Sequence, residues 1–132
     1  MFKIARSKWL LWVLLVGAVL LLSGCFALTV LDESDNGTVK SIKIGNTLLI
    51  RLAGNPTTGF VWERTDSLLE AVLEPLDEGV FIPDDGNLVG AGGVWEFRFK
   101  ALTFGSTPID FVYWRPWEEE IVDTFFVMII VR

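Results

Sequence analysis

The side chains that could carry catalysis are few in this chain of 132 residues. It has no histidine, so the commonest general base and metal ligand is missing. Neither a Ser-His-Asp nor a Cys-His nucleophile can be assembled without it. The one cysteine, Cys25, excludes an intramolecular disulfide. Paired carboxylates can hydrolyse glycosides, and Glu118-Glu119-Glu120 is the candidate run; adjacent residues in a loop point different ways, however, and read as a solvated charge run. Asp84-Asp85-Gly86-Asn87 offers oxygen atoms but lacks the spaced ligands and closing bidentate glutamate of a calcium loop, so it reads as an ordinary turn. No glycine-rich phosphate cradle follows a strand and opens a helix. The chain reads as a non-enzyme with no metal and no cofactor.

Recognition is better served than catalysis. In Gly54-Asn55-Pro56-Thr57-Thr58-Gly59-Phe60, Pro56 fixes its own φ and restricts Asn55, and Gly59 permits a conformation or approach that a Cβ would block. Thr57 and Thr58 add small hydroxyls that can donate and accept. In Gly90-Ala91-Gly92-Gly93, three glycines bare the backbone N–H and C=O groups, suited to lying along another chain. In Trp114-Arg115-Pro116-Trp117, two indoles and a guanidinium flank a proline; Trp and Arg dominate interface hot spots. Trp114 reads as core or flank, and Trp117 as an exposed anchor.

The elements that must position these loops are strands. Leu48, Ile50 and Leu52 share one face against Thr47 and Arg51. Trp95, Phe97, Phe99 and Ala101 alternate with Glu96, Arg98 and Lys100, and Ile109, Phe111 and Tyr113 alternate again. A period of two means half-buried antiparallel strands with one face on a core. Ile121 to Val131 is apolar on both faces apart from Asp123 and Thr124, which suits a central strand. Only Ser67 to Leu73 could pass for a helix. About seven short strands point to an all-β, immunoglobulin-like β-sandwich. In such a fold the three loops cluster at one end, with Trp62, Trp95 and the phenylalanines holding the sheets together.

The N-terminus is of another kind. Lys3, Arg6 and Lys8 precede an uncharged run from Trp9 to Leu22, then Ser23, Gly24 and Cys25, which fits an export signal of the bacterial lipoprotein type. On this reading residues 1–24 are a signal peptide, Cys25 is lipidated, residues 25–37 are a polar tether, and 38–132 form the domain. The alternative is an uncleaved anchor over Trp9 to Leu31, long enough to span a bilayer. Both readings put the domain outside the cytoplasm. Without residues 1–24, which hold three of the 11 basic residues and no acidic one, 17 acidic side chains face 8 basic ones. That balance argues against nucleic acid, and against anionic lipid heads, as partners.

The three loops resemble, in order and spacing, those of the chagasin-like inhibitors of papain-family cysteine peptidases. The family pattern is an Asn-Pro-Thr-Thr-Gly-aromatic loop, a Gly-x-Gly-Gly loop leading into a strand, and an Arg-Pro-Trp loop. Here these are Asn55 to Phe60, Gly90 to Gly93 and Arg115 to Trp117, supported by the Trp95-x-Phe97-x-Phe99-x-Ala101 strand and by Tyr113. The resemblance spans about residues 38 to 131. It implies a reversible, non-covalent inhibitor that occludes a papain-like peptidase's cleft in a one-to-one complex, acting as a monomer. It assigns the contact to Asn55, Pro56, Thr57, Thr58, Gly59 and Phe60, to Gly90, Gly92 and Gly93, and to Arg115, Pro116 and Trp117. Thr57 and Thr58 would lie nearest the target's catalytic pair. Trp114 departs from the polar residue expected there. The other class of function compatible with this chain is a surface adhesion or envelope-structure lipoprotein, which would use a sheet face instead of the loop tips.

Overall fold

The computed structural model describes residues 25–65, 67–84 and 89–132. The signal segment, residues 1–24, and most of the Asp84–Asn87 turn lie outside the described residues. The chain forms nine strands in two mixed sheets: β1 (Leu28–Leu31), β2 (Thr38–Ile42), β3 (Thr47–Gly54), β4 (Val61–Arg64), β5 (Leu73–Pro75), β6 (Val80–Pro83), β7 (Gly93–Ala101), β8 (Gly105–Trp114) and β9 (Ile121–Val131). One sheet runs β1-β3-β7-β5, with β6 also on β7; the other runs β2-β9-β8-β4.

The alternation read from the sequence decides which face is buried. Leu48, Ile50 and Leu52 of β3 and Phe97, Phe99 and Ala101 of β7 point inward from one sheet. Ile109 and Phe111 of β8 and Phe125, Val127 and Ile129 of β9 meet them from the other, in one continuous core. The rings of Phe97 and Phe111 touch across the gap with centroids 4.3 Å apart, and Phe125 lies on the far side of Phe111. Thr107 is the one fully buried polar side chain among the described residues, and its Oγ1 accepts from the Leu69 amide at 2.8 Å. Trp62 is buried and Trp95 packs on the core's margin. As expected, β9 is central, although its first four residues, Ile121 to Thr124, are exposed on both faces.

Three expectations need correction. Nine strands are present where about seven were expected, because β5 and β6 are short edge pieces on β7 with no alternation of their own. Residues 25–37 are not a free tether. Leu28–Leu31 pairs in parallel with Thr47–Ile50, Leu31 is buried, and Glu33–Asp35 forms a 3-10 turn capped by Asp32. A membrane-spanning segment therefore could not extend to Leu31 and would have to end by Ala27. The strands are also not all antiparallel: β1 with β3 and β2 with β9 are parallel. The chain crosses to the other sheet between β1 and β3, so it returns in the same direction. Ser67–Leu73 makes a single turn, with the Leu73 amide donating to the Leu69 carbonyl at 3.0 Å.

The registers put the turns at two opposite ends. Gly54 pairs with Gly93, and Pro83 with Gly93, so the β3–β4 and β6–β7 connections lie together. Trp114 pairs with Val61, which brings the β8–β9 connection to the same end. Phe111→Ala would open a cavity where both sheets meet; a loss of ~3–5 kcal/mol is expected. Thermal unfolding should show a fall in Tm of more than about 12 °C, and a shift of a few degrees would mean the ring is not the centre of the core.

Candidate functional site

At this end the loop after β3 is built around Asn55. Its Oδ1 accepts from the Thr57 amide at 3.1 Å and the Thr57 hydroxyl at 2.6 Å. Its carbonyl accepts from the Thr58 amide at 3.2 Å and the Thr58 hydroxyl at 2.6 Å. Pro56 opens the resulting 3-10 turn, where its missing N–H costs nothing. Gly59 closes it in the left-handed conformation, φ 84°, with its amide on the Pro56 carbonyl at 3.0 Å. Thr57 and Thr58 are exposed at the tip.

Asn55 also joins this loop to the other parts of the edge. Its amide donates to the Tyr113 hydroxyl at 3.0 Å, and its Nδ2 donates to the Gly90 carbonyl at 2.9 Å. The second loop is thereby attached to the first. Gly93 begins β7 where a Cβ would overlap the Ile82 carbonyl, and the Asp84 amide bonds the Gly92 carbonyl at 3.1 Å. Gly90 has φ 82° and a Cβ there would meet open space, so its surface is bare toward solvent while its carbonyl is held by Asn55.

The third loop leans on the first. Arg115 Nε donates to the Thr58 carbonyl at 3.0 Å, its guanidinium lies 4.2 Å from the Phe60 ring centroid, and one of its terminal nitrogens donates to Glu118 at 3.1 Å. Trp117 is 71% exposed, yet its indole covers Gly59 so closely that a Cβ there would overlap the ring. Phe60, Tyr113 and Trp62 continue as a ladder of rings into the core, with centroids 5.3 and 4.9 Å apart. Trp114 turns to the flank, where its Nε1 donates to Glu63 at 2.8 Å. Trp114 is thus on the flank and Trp117 is exposed, as the sequence reading placed them.

Every residue assigned to the three loops is thus at one edge, and Asn55 and Arg115 connect them. Two contributors were not assigned a part in the site. The Tyr113 hydroxyl holds the backbone of Asn55; the signal was a tyrosine ending a core-facing alternation, since a hydroxyl at a strand end seeks a partner. Glu118 belongs to the run set aside as solvated charge, and its place three residues after Arg115 was the available sign. Cys25 is exposed at the opposite end of the fold, beside the start of β1. Among the described residues no group of histidine, cysteine or carboxylate side chains could hold a metal ion.

The chain matches the model of the Chagasin family peptidase inhibitor I42 over residues 41–129. It is 32% identical over 87 residues to chagasin of Trypanosoma cruzi, covering 64% of this chain and 79% of that protein. The fold is shared with a cysteine protease inhibitor from Entamoeba histolytica at a TM-score of 0.71 and 24% identity, over 83% of this chain and 100% of the other. It is also shared with PbICP-C, solved in complex with falcipain-2, at a TM-score of 0.50 and 20% identity, over 83% and 95% of the two chains.

Gly59→Ala should both strain the left-handed position, by ~1–2 kcal/mol, and push the Trp117 indole off the loop. A lower Tm together with a red shift in tryptophan emission is the expected pair of signals. Unchanged emission would show that Trp117 does not rest on Gly59 in solution.

Proposed function

We propose that this chain, which belongs to the chagasin family of peptidase inhibitors, blocks papain-type cysteine peptidases by filling their active-site cleft with its three loops. The observation that carries the reading is that the edge is tied together before any partner arrives: Asn55 bonds Gly90 and Tyr113, and Arg115 bonds Thr58. Little ordering entropy remains to be lost on binding, so more of the contact energy appears as affinity. Inhibition is reversible and non-covalent, because none of the loop residues is an electrophile or a thiol.

The same bonds explain why the tip would resist cleavage. A peptidase cleft takes its substrate as an extended strand. Pro56–Thr58 is instead a 3-10 turn whose flanking carbonyls, those of Asn55 and Pro56, accept hydrogen bonds within the loop. The Thr58 carbonyl is held by Arg115. Unwinding the turn to present a scissile bond would break all of these at once. Thr57 and Thr58 would face the target's catalytic pair, Gly90, Gly92 and Gly93 would lie along one rim, and Arg115 with Pro116 and Trp117 would cover the other. A single edge of this kind fits a one-to-one complex with a monomeric inhibitor, and the two facing sheets agree with an immunoglobulin-like sandwich.

The N-terminal sequence supports an exported, membrane-attached protein, with Cys25 lipidated and then, on removal of residues 1–24, the new N-terminus. Its exposure beside the first strand leaves it open to modification.

Papain titrated with the purified full chain in detergent should be inhibited with one-to-one stoichiometry. Thr58→Arg, which drives a long side chain into the cleft, should weaken inhibition about 100-fold or more, roughly 2.7 kcal/mol. Trp117→Ala should cost about 30-fold, ~2 kcal/mol. Both variants should keep the wild-type circular dichroism spectrum, since both side chains lie outside the core. Undiminished inhibition by folded Thr58→Arg would move the contact away from the loop edge and favour a sheet face.

A further inference from the structure

The end of the fold opposite the loops carries a surface that inhibition does not use. Phe26 and Phe104 are 74% and 75% exposed, as open to solvent as Trp117, and Ile44, Leu69 and Leu102 are exposed with them. The registers bring these residues to one end. Ala101 pairs with Leu73, Thr47 with both Lys100 and Leu28, and Gly105 with Val131. The connections 43–46, 65–72 and 102–104 therefore lie beside residues 25–27. Phe26 is held there against Gly45, with Lys100 Nζ 4.6 Å from its ring centroid while that ammonium donates to the Gly45 carbonyl. Solitary exposed apolar residues are ordinary; several collected at one end mark a contact surface.

Charge divides along the same axis. The loop edge carries Asp84 and Glu118 to Glu120, whereas at the opposite end Lys43 and Arg132 are exposed and Glu70 is the one acidic side chain in the connections among the described residues. Counting Asp66 of the same connection, the two cations and two carboxylates there balance, so this end lacks the excess negative charge that argues against the whole body meeting a bilayer.

The chain outside the described structure identifies the occupant. Residues 1–24 hold the uncharged run from Trp9 to Leu22 and enter the fold here. The first sheet-side bonds are already made at Ala27, whose amide donates to Asn46 Oδ1 at 3.2 Å and whose carbonyl accepts from Thr47 at 3.1 Å. From Cys25 to Ala27 an extended chain reaches about 7 Å. The polar zone on each side of a bilayer is roughly 5–8 Å deep. A domain attached at or before Cys25 has no length with which to stand clear of the membrane.

We infer that this end is a membrane-docking surface: Phe26, Ile44, Leu69, Leu102 and Phe104 seat in the headgroup region of the bilayer that holds the N-terminal segment, with Lys43 and Arg132 at its polar margin. The loop edge then faces away from that bilayer, about 25 Å out along the eight residues of β3. The inference rests on the membrane-attached reading above, but not on lipidation of Cys25, since an anchor ending by Ala27 gives the same placement.

The test is hydroxyl-radical footprinting of the full chain reconstituted in vesicles of phosphatidylcholine with a quarter phosphatidylglycerol. Trp117 serves as the internal standard, together with the mass of the Cys25 peptide. Oxidation of Phe26 and Phe104 should fall at least fivefold relative to Trp117, after correction for intrinsic reactivity. The double variant Ile44→Glu with Phe104→Glu should restore Phe26 and Leu69 to their expected reactivity while papain inhibition is unchanged. Phe26 and Phe104 as reactive as their exposure predicts, in a chain bound to the vesicles, would overturn the docking surface whether or not Cys25 carries lipid. Protection that persists in the double variant, or that rises with protein density at fixed lipid composition, would assign the surface to a second copy and overturn it as well. An unmodified Cys25 beneath a protected surface would sink the lipidation reading and leave docking standing.

Discussion

A loop can present a rigid edge only if its backbone polar groups find partners without the help of a strand ladder, and in this protein Asn55 supplies most of them. Four of its polar groups are engaged, in directions that reach Thr57, Thr58, Gly90 and Tyr113. An aspartate could accept from Thr57 but could not donate to Gly90, and an alanine could do neither. The neighbours follow from this choice. Pro56 suits the turn because Asn55 already caps it, Gly59 can end the turn left-handed, and Trp117 can lie flat because Gly59 has no side chain. Arg115 then fastens the third loop to the Thr58 carbonyl that the turn leaves available.

The edge is rigid for a second reason, which lies in the core. Phe60, Tyr113 and Trp62 form a run of rings from the loop to the buried face, so the hydroxyl that holds Asn55 is carried by a side chain packed on both sides. Displacing the loop would mean displacing Tyr113, and Tyr113 cannot move without disturbing Trp62, whose Nε1 is fixed on the Ala53 carbonyl at 2.9 Å. Interiors packed at this density transmit small shifts rather than absorbing them. Recognition at the tip thus depends on the core through a few aromatic contacts.

Much of this was legible in the chain because the relevant signals are local. Period-two alternation over β3, β7 and β8 identified the inward faces, and the residues of all three loops could be read directly. What escaped was non-local or too short. β1 is four residues long and stands between an apolar leader and the polar run Asp32–Gly37, so it looks like part of a linker; its identity as a strand depends on β3 offering an edge. β5 and β6 have no pattern because β7 supplies their register. Parallel pairing is a consequence of the crossover, which leaves no mark in a sequence read one segment at a time. Glu118 looked like one of three equivalent glutamates, and only the position of Arg115 distinguishes it.

The parallel pairing of β1 with β3 has a consequence for the whole molecule. Because Leu28 faces Thr47 and Leu31 faces Ile50, the chain enters the fold at the start of β3, while the Asn55–Phe60 loop leaves from its end at Gly54. An antiparallel β1 would have brought Cys25 to the loop edge, where, on the proposed mode of inhibition, the preceding chain would compete with a peptidase for the same space. The 3-10 turn at Glu33–Asp35 enforces the observed direction. Glu33 accepts from the Ala53 amide near the far end of β3, and Asp32 and Asp35 cap each other's backbone, so the chain turns there and crosses to β2. A short, charged turn that looks like a solvated linker is therefore the feature that separates the N-terminal end of the fold from the loop edge.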